Sequence, residues 1–176
     1  MNATTEATKI TEAAKIKTKR LRTADEMQGI VTQIAMKHGL DLSATGLSAT
    51  GAYLRLEREG FKPLVIDKLG PYLVSVAHHY QHTGEAAAQF KRVADPDVVF
   101  FTGYGNWIPI EITQRLRGYR RSAELSLDDC DVKPLNPMGQ VSLTYFCEAW
   151  ARDLQVQNWL ELGSRAELHE EANRKA

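Results

Sequence analysis

Cysteine is scarce in this chain of 176 residues: Cys130 and Cys147 are the only two. Two thiols build neither a disulfide framework nor a four-cysteine zinc site, which excludes a disulfide-stapled module and a zinc ribbon. Long apolar runs are lacking too. None approaches the roughly 18 residues that a membrane-spanning helix needs, so no membrane partner is expected. The N-terminal stretch is rich in Thr and Lys and has no apolar h-region, so no signal peptide is expected and a cytoplasmic setting fits. Net charge is also missing, because 22 Lys and Arg balance 22 Asp and Glu. The usual catalytic signatures do not occur: there is no GxSxG, GxGxxG, HExxH or CxxC, and no phosphate-cradling GKS or GKT loop. Neither cysteine sits in a nucleophile motif.

What is present is ordinary globular composition, with 43% hydrophobic residues and a mean hydropathy of −0.35, at a length that suits one domain. Charge is unevenly placed. Residues 1–24 carry six basic side chains, Lys9, Lys15, Lys17, Lys19, Arg20 and Arg22, against Glu6 and Glu12. This net +4 leaves −4 on the remainder. The reading is a basic flexible arm over 1–24, a single domain over 25–162, and a polar charged tail over 163–176. Within the domain, 39–51 reads as a flexible loop holding the tandem repeat Leu42-Ser-Ala-Thr-Gly46 and Leu47-Ser-Ala-Thr-Gly51. Five residues are far too few for a solenoid unit, so the repeat reads as a loop duplication.

Hydrophobic spacing supplies the elements. Met27, Ile30, Val31, Ile34 and Ala35 share one face of a helix that Asp25 is placed to cap and Gly39 to stop. Strand patterns follow at 52–58, 61–66, 72–80, 98–101, 107–113 and 118–125, with turns at Glu59-Gly60, Gly70-Pro71 and Gly103-Tyr-Gly-Asn106. Pro109 removes a ladder donor, which predicts an edge or a bulge there. The segment 128–137, with its acidic run and two prolines, reads as a loop. From Val141 to Leu160, Leu143, Phe146, Cys147, Trp150, Leu154 and Trp159 recur at helical period. The fold class expected is α+β: an antiparallel sheet of about five to six strands, with an N-terminal helix and a long C-terminal helix packed on it.

Three clusters are candidates for chemistry. His78 and His82 fall on one side of a strand, with His79 on the other, and two imidazoles begin a metal site that still needs a third ligand. The other reading is a strand-end cluster in ordinary hydrogen bonds. Asp97 and Glu111 lie on successive strands in the order used by metal-dependent nucleases, but Thr113 stands where that pattern wants a lysine. Arg115, Arg117, Arg120 and Arg121, with Tyr119 among them, form the densest basic patch of the body. Arg planes and a Tyr face suit phosphate and base contacts; alternatively the acidic run from Glu124 to Asp131 pairs with the arginines. Trp107, Trp150 and Trp159 read as core anchors.

Several segments together carry a resemblance: Gly60-Phe-Lys-Pro-Leu-Val-Ile-Asp67, Val74-Ser-Val-Ala-His-His-Tyr80, Asp95-Pro-Asp-Val-Val-Phe100, Trp107-Ile-Pro109, Gly118-Tyr119, and the helix from Phe146 through Trp150-Ala-Arg-Asp-Leu154. Over roughly Ala52 to Leu160 the chain resembles a family of uncharacterised proteins carried on bacterial plasmids, phages and other mobile elements. The family places an Asn-Gly-Asp-type turn after the histidine segment; here His82-Thr-Gly-Glu85 and an apparent insertion, Ala86 to Val93, stand instead. The resemblance implies a cytoplasmic accessory protein and brings no catalytic residues or cofactor.

The leading expectation is therefore a non-catalytic interaction protein of a mobile element, which binds a host or element protein and inhibits a host defence system. A second is nucleic-acid binding through Lys15, Lys17, Lys19, Arg20, Arg22 and the Arg115–Arg121 patch. A third is a metal-dependent nuclease-like hydrolase using Asp97 and Glu111 with a histidine.

Overall fold

The computed structural model describes residues 21–42, 51–80, 93–126, 131–161 and 165–169. The helix expected after residue 24 is α1, Asp25–Lys37. A meander follows through β1 (Tyr53–Glu57), β2 (Leu64–Gly70), β3 (Leu73–Tyr80), β4 (Val93–Phe101), β5 (Ile108–Gln114) and β6 (Gly118–Arg121). A short hairpin of β7 (Ala123–Ser126) and β8 (Asp131–Pro134) leads into α2, Pro137–Val156, and β9 (Arg165–His169) ends the described chain. The main sheet has seven strands in the order β6-β5-β4-β3-β2-β1-β9, and β7 pairs with β8 apart from it. Every pairing is antiparallel.

Alternation along the strands divides the sheet into two unlike faces. Leu54, Leu56, Leu64, Ile66, Val74, Val76, Val98, Phe100 and Ile112 join the buried face of α1 and Leu143, Cys147, Trp150, Leu154 and Trp159 in one core. On the reverse side, Phe101, Ile108, Ile110, Ala123 and Val132 form a smaller cluster beneath the β7–β8 hairpin. There the Tyr104 hydroxyl donates to Asp131 at 2.6 Å. A register shift in the β4–β5 ladder lets Pro109 sit opposite Phe100, which is the bulge that the proline demands.

The N-terminal end of α1 is tied to α2. Asp25 does not cap α1; Ala24 holds that position, without a side-chain cap. The Glu148 carboxylate of α2 instead accepts the Glu26 backbone N–H at 3.1 Å, which does a capping residue's work from a neighbouring helix. Gly39, at φ 82°, ends α1 as expected. In α2, Asn136 caps by accepting the Gly139 N–H at 2.9 Å, with Pro137 first in the helix. One turn in, buried Gln140 accepts the Arg22 N–H at 3.0 Å and donates to the Arg22 carbonyl at 2.7 Å. The chain entering α1 is thereby fastened against the first turn of α2.

The expected α+β class holds, but the sheet is wider than five to six strands. Residues 165–169, read as part of a charged tail, pair in register with β1, Tyr53 opposite His169 and Glu57 opposite Arg165. Gly118 to Leu125 is two strands, not one, because the chain bends at Ser122 from the main sheet into the hairpin. The segment expected as a loop contributes β8. All three tryptophans are core residues: Trp107, Trp150 and Trp159 are buried, the last completely. Trp159→Ala is expected to lower stability by about 3–5 kcal/mol in urea unfolding; a loss below about 1 kcal/mol would contradict its place in the core.

A candidate interaction surface at the open edge of the sheet

The β5–β6 hairpin turns through Arg115-Leu116-Arg117, where the Arg117 N–H donates to the Gln114 carbonyl at 3.2 Å. Gly118, at φ 69°, takes the left-handed backbone that restarts the strand. Pleating then separates the basic cluster. Arg120 stands opposite Ile112 on the helix side, whereas Tyr119 and Arg121 stand opposite Thr113 and Glu111 on the reverse side. All four residues of β6 are exposed, and Leu116 at the turn is 95% exposed.

On the helix side, a cleft of about 480 Å³ runs between this hairpin and the first half of α2. Ile112, Leu143 and Phe146 give it an apolar part, and Arg117, Arg120 and Ser142 give it polar walls. Arg120 donates to the Gln114 side chain, a neutral partner. Arg115 and Arg117 form no ion pair among the described residues. Met138 and Tyr145, both well exposed, lie on the adjacent outer side of α2. Gln140 holds the Arg22 backbone at the first turn of α2, and the residue before Arg22, Leu21, is buried in the reverse-side cluster. Arg22 itself is exposed there. Lys15, Lys17, Lys19 and Arg20 lie outside the described residues.

On the reverse side the Arg121 guanidinium donates to Glu111 at 2.7 Å. Partial burial, together with the Glu111 carboxylate that accepts its hydrogen bond, pushes the Tyr119 phenol above its ordinary 10.0. Part of the basic patch is therefore neutralised, though by Glu111 across the ladder. The Asp131 of the acidic run is engaged with Tyr104 and the Val132 N–H instead; Asp128 and Asp129 lie outside the described residues.

The carboxylates expected in a hydrolase do share this face. Asp97 faces Thr113, one pleat repeat from Glu111. Asp97 accepts the Ser75 hydroxyl at 2.6 Å, and burial together with the Asp97 charge raises Asp67 above 3.8. Among the described residues, no three His, Cys, Asp or Glu side chains are grouped to hold a metal ion. His78 lies on the other face, buried with its ring 5.5 Å from that of Trp150 and 6.2 Å from that of Trp159. Its Nδ1 lies 3.4 Å from the Pro63 carbonyl. His82 is outside the described residues.

Two buried cations escaped the sequence reading. Lys68 is fully buried on the helix side, with its pKa lowered by that burial and opposed by the charge of Asp41. Arg55 is 3% exposed on the reverse side; its Nε donates to Glu57 at 2.9 Å, and its Nη1 has no hydrogen-bond partner. Lys68 was readable as a charge at an inward position of β2, whereas Arg55 sits where the alternation Leu54-Arg55-Leu56-Glu57 puts a polar outward residue, so nothing local marks its burial.

The profile described as Domain of unknown function (DUF6908) matches residues 30–160, and the chain belongs to that family. No curated protein matches the chain, and no solved structure does.

Burial holds the His78 pKa below its ordinary 6.5, which makes stability depend on pH. The unfolded chain binds a proton at His78 below that value while the folded chain resists it, so stability falls as pH drops through 6.5 towards the folded pKa. A His78→Phe variant is expected to show a shallower acid loss of stability in urea titrations between neutrality and mildly acidic pH. An unchanged slope would remove His78 as a contributor. For the carboxylates, calorimetric titration with Mg²⁺ or Mn²⁺ is expected to give the same trace for wild type and the Asp97→Ala/Glu111→Ala variant. Saturable binding lost in the variant would restore the hydrolase reading.

Proposed function

We propose that this protein acts by binding another protein, without catalysis of its own, and that the β6 edge with the adjoining cleft is the surface used. The observation that carries the reading is the composition of that surface. Arg117 and Arg120 wall the cleft. Leu116 is exposed at the hairpin turn and Met138 and Tyr145 on the outer side of α2, with Tyr119 exposed on the reverse side of the same strand as Arg120. Protein interfaces are enriched in arginine, tyrosine and methionine, and arginine and tyrosine supply many of their binding hot spots. The partner is acidic at the contact, since arginines at the edge steer an opposite charge and repel a like one. The resemblance to mobile-element proteins extends the proposal: the partner belongs to the host or the element, and inhibition of a defence system in the cytoplasm is the purpose. No long apolar helix for crossing a membrane occurs among the described residues, which is compatible with that setting.

A second reading is nucleic-acid binding. It is favoured by Arg115, Arg117 and Arg120, exposed cations that form no ion pair among the described residues. Against it stands the body's net −4, since phosphate-backbone binding rests mainly on accumulated positive charge.

The two readings separate in one pair of measurements. Affinity capture with the full chain, followed by isolation of the complex, is expected to yield a protein partner that an Arg117→Glu/Arg120→Glu variant releases. Loss of at least about tenfold in affinity is expected where such charges are central. Fluorescence anisotropy with single- and double-stranded DNA and RNA is expected to show no salt-steep binding. Binding that weakens steeply with salt and on deletion of residues 1–24 would put nucleic acid in the protein's place.

A further inference from the structure

Resting on the reading of this surface as a partner site, we infer that the partner contributes an extended acidic segment, which adds to β6 as a further strand of the main sheet. β6 ends the strand order, so among the described residues no strand occupies its outer side. The ladder fixes which backbone groups face outwards. Ser122 donates its N–H inwards to the Ile110 carbonyl at 2.8 Å, so the two-residue repeat turns Gly118 and Arg120 inwards and Tyr119 and Arg121 outwards. Outward N–H and C=O groups on an edge strand form a template for another chain.

The opening has two ends. At one, the Ser122 carbonyl already accepts the Leu135 and Asn136 N–H groups at 3.0 and 3.1 Å, which closes the edge. At the other, the turn at Leu116 stops the strand. Between them lies a short open edge flanked by the cleft against α2. A strand added there projects alternate side chains into the cleft, towards Ile112, Leu143 and Phe146, and the intervening ones towards the Tyr119 and Arg121 side. An edge strand beside a helix-walled groove is the arrangement in which strand addition combines backbone affinity with side-chain pockets.

Charge selects the occupant. A second copy of β6 would bring Arg120 and Arg121 against their equivalents, and like charges across strands are destabilising. An acidic strand meets Arg117 and Arg120 instead, so a different chain is favoured over self-pairing.

The test uses the full-length protein and a phage-displayed library of random dodecapeptides. Enriched peptides are expected to be acidic with alternating apolar residues. The best is then synthesised in two forms, N-methylated on one or the other alternate set of backbone amides. Methylation of the set facing β6 is expected to weaken binding by at least about tenfold, and methylation of the outer set to be tolerated. Tyr119→Pro, which removes an outward N–H from the protein, is expected to match the first form; the methylated peptides measure the same bonds should that variant not fold. If both methylated peptides bind like the parent while Arg117→Glu/Arg120→Glu abolishes binding, strand addition is wrong and the partner surface stands. If the arginine variant binds the peptides as well as wild type does, or if nothing is enriched, the inference fails. Only the former result also removes the surface.

Discussion

A seven-stranded sheet is wider than two helices can cover, and this mismatch of widths shapes the molecule. At about 4.8 Å between neighbours, seven strands span about 29 Å. Two helices side by side cover about 20 Å. Something at the margin must remain without a helix over it. The chain resolves this unevenly. At the β9 end, Leu168 reaches the backbone of Gly39 just beyond α1, so that margin is partly sheltered. At the other end α2 lies against β5, and β6 is left exposed along its whole length. The cleft between β6 and α2 follows from the same shortfall: the helix packs against β5 and stops short of the last strand, and the apolar side chains of Ile112, Leu143 and Phe146 reach its wall.

Polar contacts between α2 and the chain at the start of α1 hold this geometry. Glu148 caps α1, Arg152 donates to both carboxylate oxygens of Glu26 at 3.0 and 3.1 Å, and Gln140 clasps the Arg22 backbone. The Arg152–Glu26 pair is exposed and contributes little stability. The Gln140 and Glu148 contacts matter more because they satisfy backbone groups beside a packed interface. They also hold α2 against the start of α1. A surface that binds a partner without catalysis depends on such positioning more than on any single reactive group.

Much of this was legible from periodicity. The apolar spacing from Met27 to Ala35 and from Leu143 to Leu154 marked both helices, although the second runs over Pro137–Val156 instead of Val141 to Leu160 and Trp159 lies past its end; Pro109 marked its bulge. What escaped was non-local. Arg-Ala-Glu-Leu-His at 165–169 alternates, but its polar residues and short length make it look like a tail until β1 is placed beside it. β7 and β8 are four residues each, too short to outweigh the acidic and proline signals around them. At the surface, Arg115 to Arg121 was visible as one patch; that pleating would hand Arg121 to Glu111 and leave Arg120 at the cleft became visible only with the ladder register. Glu111 shows the same lesson in reverse. The cation missing at Thr113 is supplied from the next strand, as a pairing partner for the carboxylate, which makes the acidic residue part of the sheet's electrostatics.

An edge strand dressed with arginine has two meanings that physics does not set against each other. Charged edges keep sheets from pairing with copies of themselves, and β6 fits that role. The same charges cannot discourage a strand of opposite sign, because the outward backbone groups stay accessible and the electrostatic term changes direction. Where protection alone is needed, a proline or a bulge placed on the edge closes it to every partner. In this chain the proline and its bulge lie on β5, one strand inside, while β6 itself carries neither. Between the closure at Ser122 and the turn at Leu116 the short edge is thus guarded by charge, which disfavours pairing with its own copy and leaves a selective opening. That distinction, between an edge closed to all and one closed to its own kind, is the physical ground for reading β6 as a docking strand.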